Sequence, residues 1–230
     1  MPGMVRMTTE KRRALDLVYS AQTPGELHDA YSAWANEYDR ETAELGYGLP
    51  FLIGAWVARY VPRGDGPILD AGCGTGLSGP YLKALGYNHI EGLDIAAEML
   101  RLARARNVYH ALKQVDLSGQ LPWADRHFTA FLSTGVFTEG HAPASSLEEL
   151  VRITQRRGHA IFTVRDTVLE KGGFRDTFAR MEAARRWRSI EESPPFRAFA
   201  VAEPEVQVKA FVFEVRLALK TGRRVHAPMG

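Results

Sequence analysis

Ile68-Leu69-Asp70-Ala71-Gly72-Cys73-Gly74-Thr75-Gly76 decides the fold. Apolar residues run into an acid, and a loop follows with glycine at every second position. The pattern predicts a short buried strand that delivers Asp70 to a sheet edge, then a sharp backbone turn close to a ligand. A helix beginning near Leu77 would point its partly positive amide end at the same place. Gly74-Thr75-Gly76-Leu77-Ser78-Gly79 also satisfies the G-x-G-x-x-G dinucleotide pattern, which on its own is weak evidence. Under that reading Asp70 lies further back in a central strand, as a buried carboxylate without a partner, which is costly. At the strand tip its natural partner is a cationic amino group, so the loop suits a zwitterionic nucleoside better than a diphosphate.

The flanking pattern supplies the architecture. Thr23-Pro24 opens a helix in N-cap and N1 order and places Leu27, Tyr31, Trp34 and Tyr38 on one face. A second helix is predicted from Pro50 to Tyr60, ending before Pro62. Strands are predicted at Pro67–Ala71, His89–Asp94, Tyr109–Asp116, Phe128–Thr134 and Gly158–Arg165. Between them fall helices at Leu77–Leu85, Ala96–Arg106, Ser145–Arg156 and Phe174–Trp187. Repeated β-α units imply an α/β protein, with a mostly parallel sheet and helices on both faces. Towards the C-terminus, Phe196–Ala200 and Val206–Leu217 leave no room for a helix between them and predict an antiparallel edge pair. One core is expected, divided as 1–62 (a helical cap integrated with it), 63–220 (the ligand-binding unit) and 221–230 (a frayed tail).

Composition narrows the function. The 230 residues are 45% hydrophobic and 24% charged, with a net charge of +2, too small to imply a polyanionic partner. Arg101, Arg104 and Arg106, and Arg185, Arg186 and Arg188, alternate with apolar residues at helical spacing and read as solvated helix faces. A single cysteine, Cys73, excludes an internal disulfide framework and a thiolate zinc cluster, and no local base activates it. No signal-peptide core and no membrane-spanning run is seen, so a cytoplasmic protein without membrane or nucleic-acid partners is expected.

In an open parallel sheet, ligands bind beyond the carboxyl ends of the strands where strand order reverses. The Asp70 strand should be central, with its loop at that crevice. Asp94 ends the next strand, where a ribose-binding acid belongs. Asp116, near the end of the third, is placed to accept from an exocyclic amine, and Ile95, Met99 and Leu117 would wall a flat base. Each acid has a plainer alternative: Asp94 as a cap for the following helix, Asp116 as a turn or cap residue.

With these residues the sequence resembles the class I S-adenosylmethionine-dependent methyltransferases. The likeness is carried by Leu69–Gly76, by Glu91-Gly92-Leu93-Asp94 and by Asp116-Leu117. A closer similarity, to the methyltransferase-like group of the Williams–Beuren syndrome chromosomal region and its bacterial relatives, rests on Tyr31–Asp39, Leu45-Gly46-Tyr47, Ala97–Leu100, Tyr109-His110 and Glu139-Gly140. It covers about Tyr31 to Arg165. The resemblance implies a Rossmann-like fold with a seven-stranded sheet, and S-adenosylmethionine as cofactor. Gly72, Gly74 and Gly76 would pass its methionine portion, with Asp70 near the ammonium. Asp94 would hold the ribose, and Ile95, Met99, Asp116 and Leu117 would frame the adenine. Thr134 or Gly135 would meet the methionine tail, and Tyr31 and Tyr38 would close over the cofactor. Arg156-Arg157-Gly158 replaces the usual Lys-Pro-Gly-Gly turn, away from the site.

A sulfonium activates its own methyl group, so the protein must align the acceptor and exclude water. A base is needed only when the acceptor has a proton to lose. Glu139 and His141, just beyond the fourth strand, are the catalytic candidates, against structural roles for both. Arg165 would pair with a substrate carboxylate or with a protein acid, and Lys171-Gly172-Gly173 suggests a loop that gates the pocket. The Asp/Asn/Ser-Pro-Pro-Tyr/Phe motif of amino-group methyltransferases is absent, and Ser133-Thr134-Gly135-Val136 stands in its place. The expectation is methyl transfer to a small-molecule acceptor with no metal. A cofactor-binding sensor or scaffold without turnover is the alternative, and a nicotinamide oxidoreductase the third reading.

Overall fold

The computed structural model describes residues 17–216 except Tyr19, Gln22 and Asp65; the tail expected at 221–230 lies outside the described residues. Two helices lead, α1 (Pro24–Leu45) and α2 (Leu49–Tyr60). Then come β1 (Ile68–Ala71), α3 (Ser78–Ala84), β2 (Ile90–Asp94), α4 (Ala97–Ala105), β3 (Ala111–Gln114) and β4 (Phe128–Phe137). They are followed by α5 (Ser146–Arg152), β5 (Thr154–Arg165), α6 (Asp166–Lys171), α7 (Phe174–Ala183), β6 (Trp187–Glu192), β7 (Phe196–Arg197) and β8 (Gln207–Val215). The strands hydrogen-bond in the order β3-β2-β1-β4-β5-β8-β6, and the two-residue β7 pairs with β8 off this path. Contacts among β1 to β5 are parallel, and β8 runs antiparallel to β5, β6 and β7. This is the mostly parallel Rossmann-like sheet with antiparallel edge strands.

Alternation along the strands builds a core on each side. Ile68, Ile90, Ala130, Leu132, Ile161 and Val212 meet Ile53 and Val57 of α2 and Leu82 of α3. The intervening residues Leu69, Leu93, Phe131, Phe162 and Phe213 meet Leu147 and Leu150 of α5 and Phe178 of α7. A period of two on a buried strand requires this, because successive side chains leave opposite faces.

The edge departs from expectation. The helix predicted through Trp187 stops at Ala183, and Trp187 instead begins β6, 1% exposed and stacked on Phe213 at 3.9 Å between ring centroids. The turn between them uses Arg185 at φ 53, a position where glycine would have signalled the break. Arg185 and Arg186 therefore sit in a turn, and Arg188 pairs across strands with Glu214 at 2.7 Å, so the solvated-helix reading of this cluster is corrected. The helix α6 was also not foreseen.

At the other end the reading of Thr23 holds: its hydroxyl accepts from Glu26 N at 3.2 Å. α1 is fastened to α4 and to the glycine loop. The Ser32 hydroxyl donates to Glu98 at 2.7 Å, and Arg101 Nη2 donates to Asn36 Oδ1 at 2.7 Å. Arg106 Nε donates to the Thr75 carbonyl at 2.6 Å while its Nη2 pairs with Asp39, which also accepts from the Thr75 hydroxyl. Arg101 and Arg106 are thus clamps rather than a solvated face. Because the Asp39 side chain is 43% exposed, solvent screens part of the pairing. Asp39→Ala should lower the unfolding free energy by about 1–2 kcal/mol in urea titrations, and adding Arg106→Ala should cost less than the sum of the single losses.

Candidate functional site

Strand order reverses between β1 and β4, and a cleft of about 870 Å³, partly open to solvent, lies at their carboxyl ends. Its floor is the loop after β1. The amides of Gly72 and Cys73 both donate to the Leu93 carbonyl, at 2.9 and 2.8 Å, which folds the loop back onto β2. Gly72 is at φ 74, and a Cβ there would stand 2.2 Å from Val136 Cγ2, so no side chain is tolerated. Gly74 borders the cleft with nothing within 4 Å of where a Cβ would stand.

Asp94 ties this floor together. Its Oδ2 accepts from Gly74 N at 2.8 Å and its Oδ1 from Ala96 N at 3.0 Å. The helix-capping alternative is therefore realised, yet the same carboxylate lines the cleft. Burial pushes its pKa up, against the hydrogen bonds from Ala96, Gly74 and Ile95. Asp116 likewise takes its turn role, accepting from Ser118 N at 2.8 Å, and also lines the cleft. Ile95, Met99 and Leu117 supply apolar walls, with Thr134 at the β4 end and Tyr31 and Tyr38 overhead from α1. Among the described residues no lysine or arginine lines this cleft, and its formal charges are the two carboxylates.

Two of the expected cofactor contacts lie elsewhere. Gly76 faces protein, since a Cβ on it would stand 2.8 Å from the Tyr109 ring. Asp70 is the third residue of β1, 2% exposed, and borders a smaller adjoining cavity of about 320 Å³ that shares Tyr38, Tyr47, Gly72, Gly74 and Thr134 with the main cleft. Asp70 has a protein partner, which corrects the expectation that a ligand alone satisfies it: Tyr109 donates its hydroxyl to Oδ2 at 2.7 Å. Burial, opposed by Tyr109 and reinforced by Asp94, raises the Asp70 carboxyl to about 7. Cys73 is buried beside both acids and its thiol is pushed well above the usual range, which leaves no nucleophile there.

The catalytic candidates separate. Glu139 borders none of the three cavities described here. It accepts from Arg165 Nη1 at 2.9 Å and from the Thr167 hydroxyl. Although burial opposes it, these hydrogen bonds hold the carboxyl below its usual range. Arg165 thus has the protein acid, one of its two expected partners. His141 does reach the cleft. Its Nδ1 faces the Glu139 carbonyl at 2.7 Å, which only accepts, so Nδ1 carries the proton and Nε2 accepts from the Tyr31 hydroxyl at 3.0 Å. Burial lowers its pKa, so the ring is neutral near pH 7. Lys171 ends α6, Gly172 caps it and Gly173 caps the start of α7; none of them borders the three cavities, so these residues form a helix junction rather than the expected gating loop. The reading also gave no role to Tyr47, which borders all three cavities, and its only signal was the Leu45-Gly46-Tyr47 likeness.

Residues 69–162 match the sequence profile described as a methyltransferase domain. Methyltransferase-like protein 27 of Homo sapiens is 31% identical over 173 residues, covering 71% of this chain and 69% of that protein. The chain belongs to the class I S-adenosylmethionine-dependent methyltransferases. This methyltransferase is also 30% identical over 174 residues to the malonyl-[acyl-carrier protein] O-methyltransferase of Erwinia billingiae (strain Eb661), covering 75% of this chain and 62% of that one. A TehB-like SAM-dependent methyltransferase structure from Corynebacterium glutamicum superposes with a TM-score of 0.56 at 23% identity, over 82% of this chain and 100% of that one, which shows the shared fold. The cofactor of the family, S-adenosylmethionine, fits what the methyltransferase presents: carboxylates for hydroxyl and amino donors, apolar walls, and open space over the backbone at Gly74. Among the described residues no group of His, Cys, Asp and Glu is arranged to hold a metal ion, and no helix is long and apolar enough to cross a membrane.

The raised Asp70 pKa makes stability depend on pH. Between about 4, the unfolded value, and about 7, the folded state keeps a proton that the unfolded state releases. The stabilisation is complete below this window and lost as pH rises through it, by about 4 kcal/mol. Asp70→Asn should flatten that limb, so urea titrations at pH 5 and pH 8 should show the variant gaining on wild type between the two, by more at the higher pH.

Proposed function

We propose that this methyltransferase transfers the methyl group of S-adenosylmethionine to a small-molecule acceptor. The observation that carries the site assignment is the cleft at the switch point of the sheet, lined by two carboxylates and, among the described residues, by no lysine or arginine. A dinucleotide would bring two phosphate charges against Asp94 and Asp116, whereas S-adenosylmethionine brings a sulfonium, an ammonium and hydroxyl and amino donors. When bound, it supplies an electrophilic methyl group already activated by sulfur.

The chain's own residues then have separable tasks. Asp94 accepts the ribose hydroxyls while keeping its two backbone donors. Asp116 accepts from the adenine amine, and Ile95, Met99 and Leu117 flank the ring. The loop at Gly72 and Gly74 passes the methionine portion, Thr134 meets its tail, and Asp70 faces the ammonium across the smaller cavity. Tyr31 and Tyr38 exclude water from above, in a helical cap that includes α1 and α2. His141 is the base where the acceptor has a proton to lose; Glu139 acts indirectly, by holding Arg165 and the His141 loop. Support for a small acceptor comes from the enclosed aromatic cap. A cytoplasmic location is part of the proposal, supported by the lone buried thiol.

Calorimetric titration tests the cofactor assignment. Wild type should bind S-adenosylmethionine and its demethylated product, with no heat from NAD. Asp94→Asn keeps the shape but loses charge-assisted acceptance, and should weaken both sulfur nucleosides about 10- to 100-fold. Binding of NAD in preference, or unchanged affinity in Asp94→Asn, would contradict it.

A further inference from the structure

Behind the cofactor cleft lies a second cavity of about 560 Å³, partly open to solvent. Tyr31, Tyr38, Tyr47, Gly135 and His141 border both spaces, which therefore meet at an aromatic partition. Tyr47 packs closely enough on Gly135 that a Cβ there would stand 2.4 Å from its hydroxyl. The far wall is apolar, with Trp34, Phe199, Val206 and Val208 among its residues. The formally charged residue on this wall is Arg165, held by Glu139.

We infer that this chamber is the acceptor site and that it takes a flat, apolar compound bearing a neutral hydroxyl, a phenol-like O–H, methylated on oxygen with Tyr31 relaying its proton to His141. This rests on the methyl-transfer reading above and specifies its substrate. Three observations select the class. The walls are aromatic and aliphatic, so the body of the acceptor is apolar. The partition carries a Tyr31-to-His141 hydrogen bond of 3.0 Å whose acceptor is a lone pair on Nε2, a route out for a proton that the acceptor gives up. A carboxylate at neutral pH has none. Finally, the formally charged residue on the chamber wall, Arg165, is paired with Glu139 at 2.9 Å, so the wall favours a neutral hydroxyl over an ammonium or a carboxylate.

The step balances. A lone pair of the acceptor oxygen forms the new C–O bond as the C–S bond breaks, and that electron pair neutralises the sulfonium. The acceptor's proton passes to the Tyr31 oxygen while the Tyr31 proton passes to His141 Nε2. The products are a methyl ether, S-adenosylhomocysteine and a protonated His141, which returns its proton to solvent.

Full-length protein saturated with S-adenosylhomocysteine is titrated with 2-naphthol, 2-naphthoate and 2-naphthylmethylamine, following Trp34 fluorescence and heat. The same three probes are then incubated with S-adenosylmethionine, and products are read by mass spectrometry. The naphthol should bind and be methylated on oxygen at least tenfold faster than the other two. Tyr31→Phe, which keeps the ring, should lower kcat about 100-fold, with the dissociation constants of naphthol and S-adenosylhomocysteine changed less than threefold. Ala198→Leu fills the chamber from its far wall, and should weaken naphthol at least tenfold while leaving S-adenosylhomocysteine and the melting temperature unchanged. Preference for the carboxylate or amine, no binding of naphthol, an unchanged rate in Tyr31→Phe, or naphthol affinity indifferent to Ala198→Leu would overturn the inference. Absence of S-adenosylhomocysteine binding at the outset would instead overturn the methyl-transfer reading on which it stands.

Discussion

The carboxylate of Asp94 holds two backbone amides that belong to different parts of the sheet edge, Gly74 in the glycine loop and Ala96 at the head of α4. That single group fixes how far the loop stands from β2 and where α4 begins, and these set the floor and one wall of the cleft. Buried amides need acceptors, so the acid is required by the fold before any ligand arrives. Structural capping leaves other lone pairs of the same carboxylate facing the cleft.

The cleft is completed from outside the sheet. α1 is joined to the glycine loop through Asp39, Thr75 and Arg106, which brings Tyr31 and Tyr38 over the cleft. Arg106 lies at the end of α4, so the same clamp couples the cap to the helix that Asp94 starts. One consequence is that the spaces on the two sides of the aromatic partition share their walls, and a change at Tyr31, Tyr38 or Tyr47 alters both. Asp70, beneath the loop, is the electrostatic counterpart: a buried acid that Tyr109 satisfies only in part.

Much of this was legible in the sequence because it depends on local chemistry. The five parallel strands follow from short apolar runs between helical patterns, and Asp94 and Asp116 stand out as acids at successive strand ends. The Thr23-Pro24 signal placed the start of α1 correctly. What escaped was tertiary. Trp187 reads as the last turn of a helix because Arg185, not glycine, makes the left-handed turn before it. Arg106 is a solvated arginine until Asp39 arrives from 67 residues away. Tyr109 beside Asp70, 39 residues apart, and Tyr47 on the partition carry no periodic signature at all. Glu139 and His141, two residues apart, looked equivalent, and only the fold turns one towards Arg165 and the other towards the cleft.

The most direct test is a crystal structure of the protein with S-adenosylhomocysteine bound. Density should place the ribose hydroxyls on Asp94, the adenine between Ile95, Met99 and Leu117, and the amino-acid end towards Asp70, with the sulfur facing the Tyr31–His141 partition. A ligand found in the chamber behind the partition, or lying in the cleft with its base at Asp70, would contradict the assignment of the acidic cleft as the cofactor site.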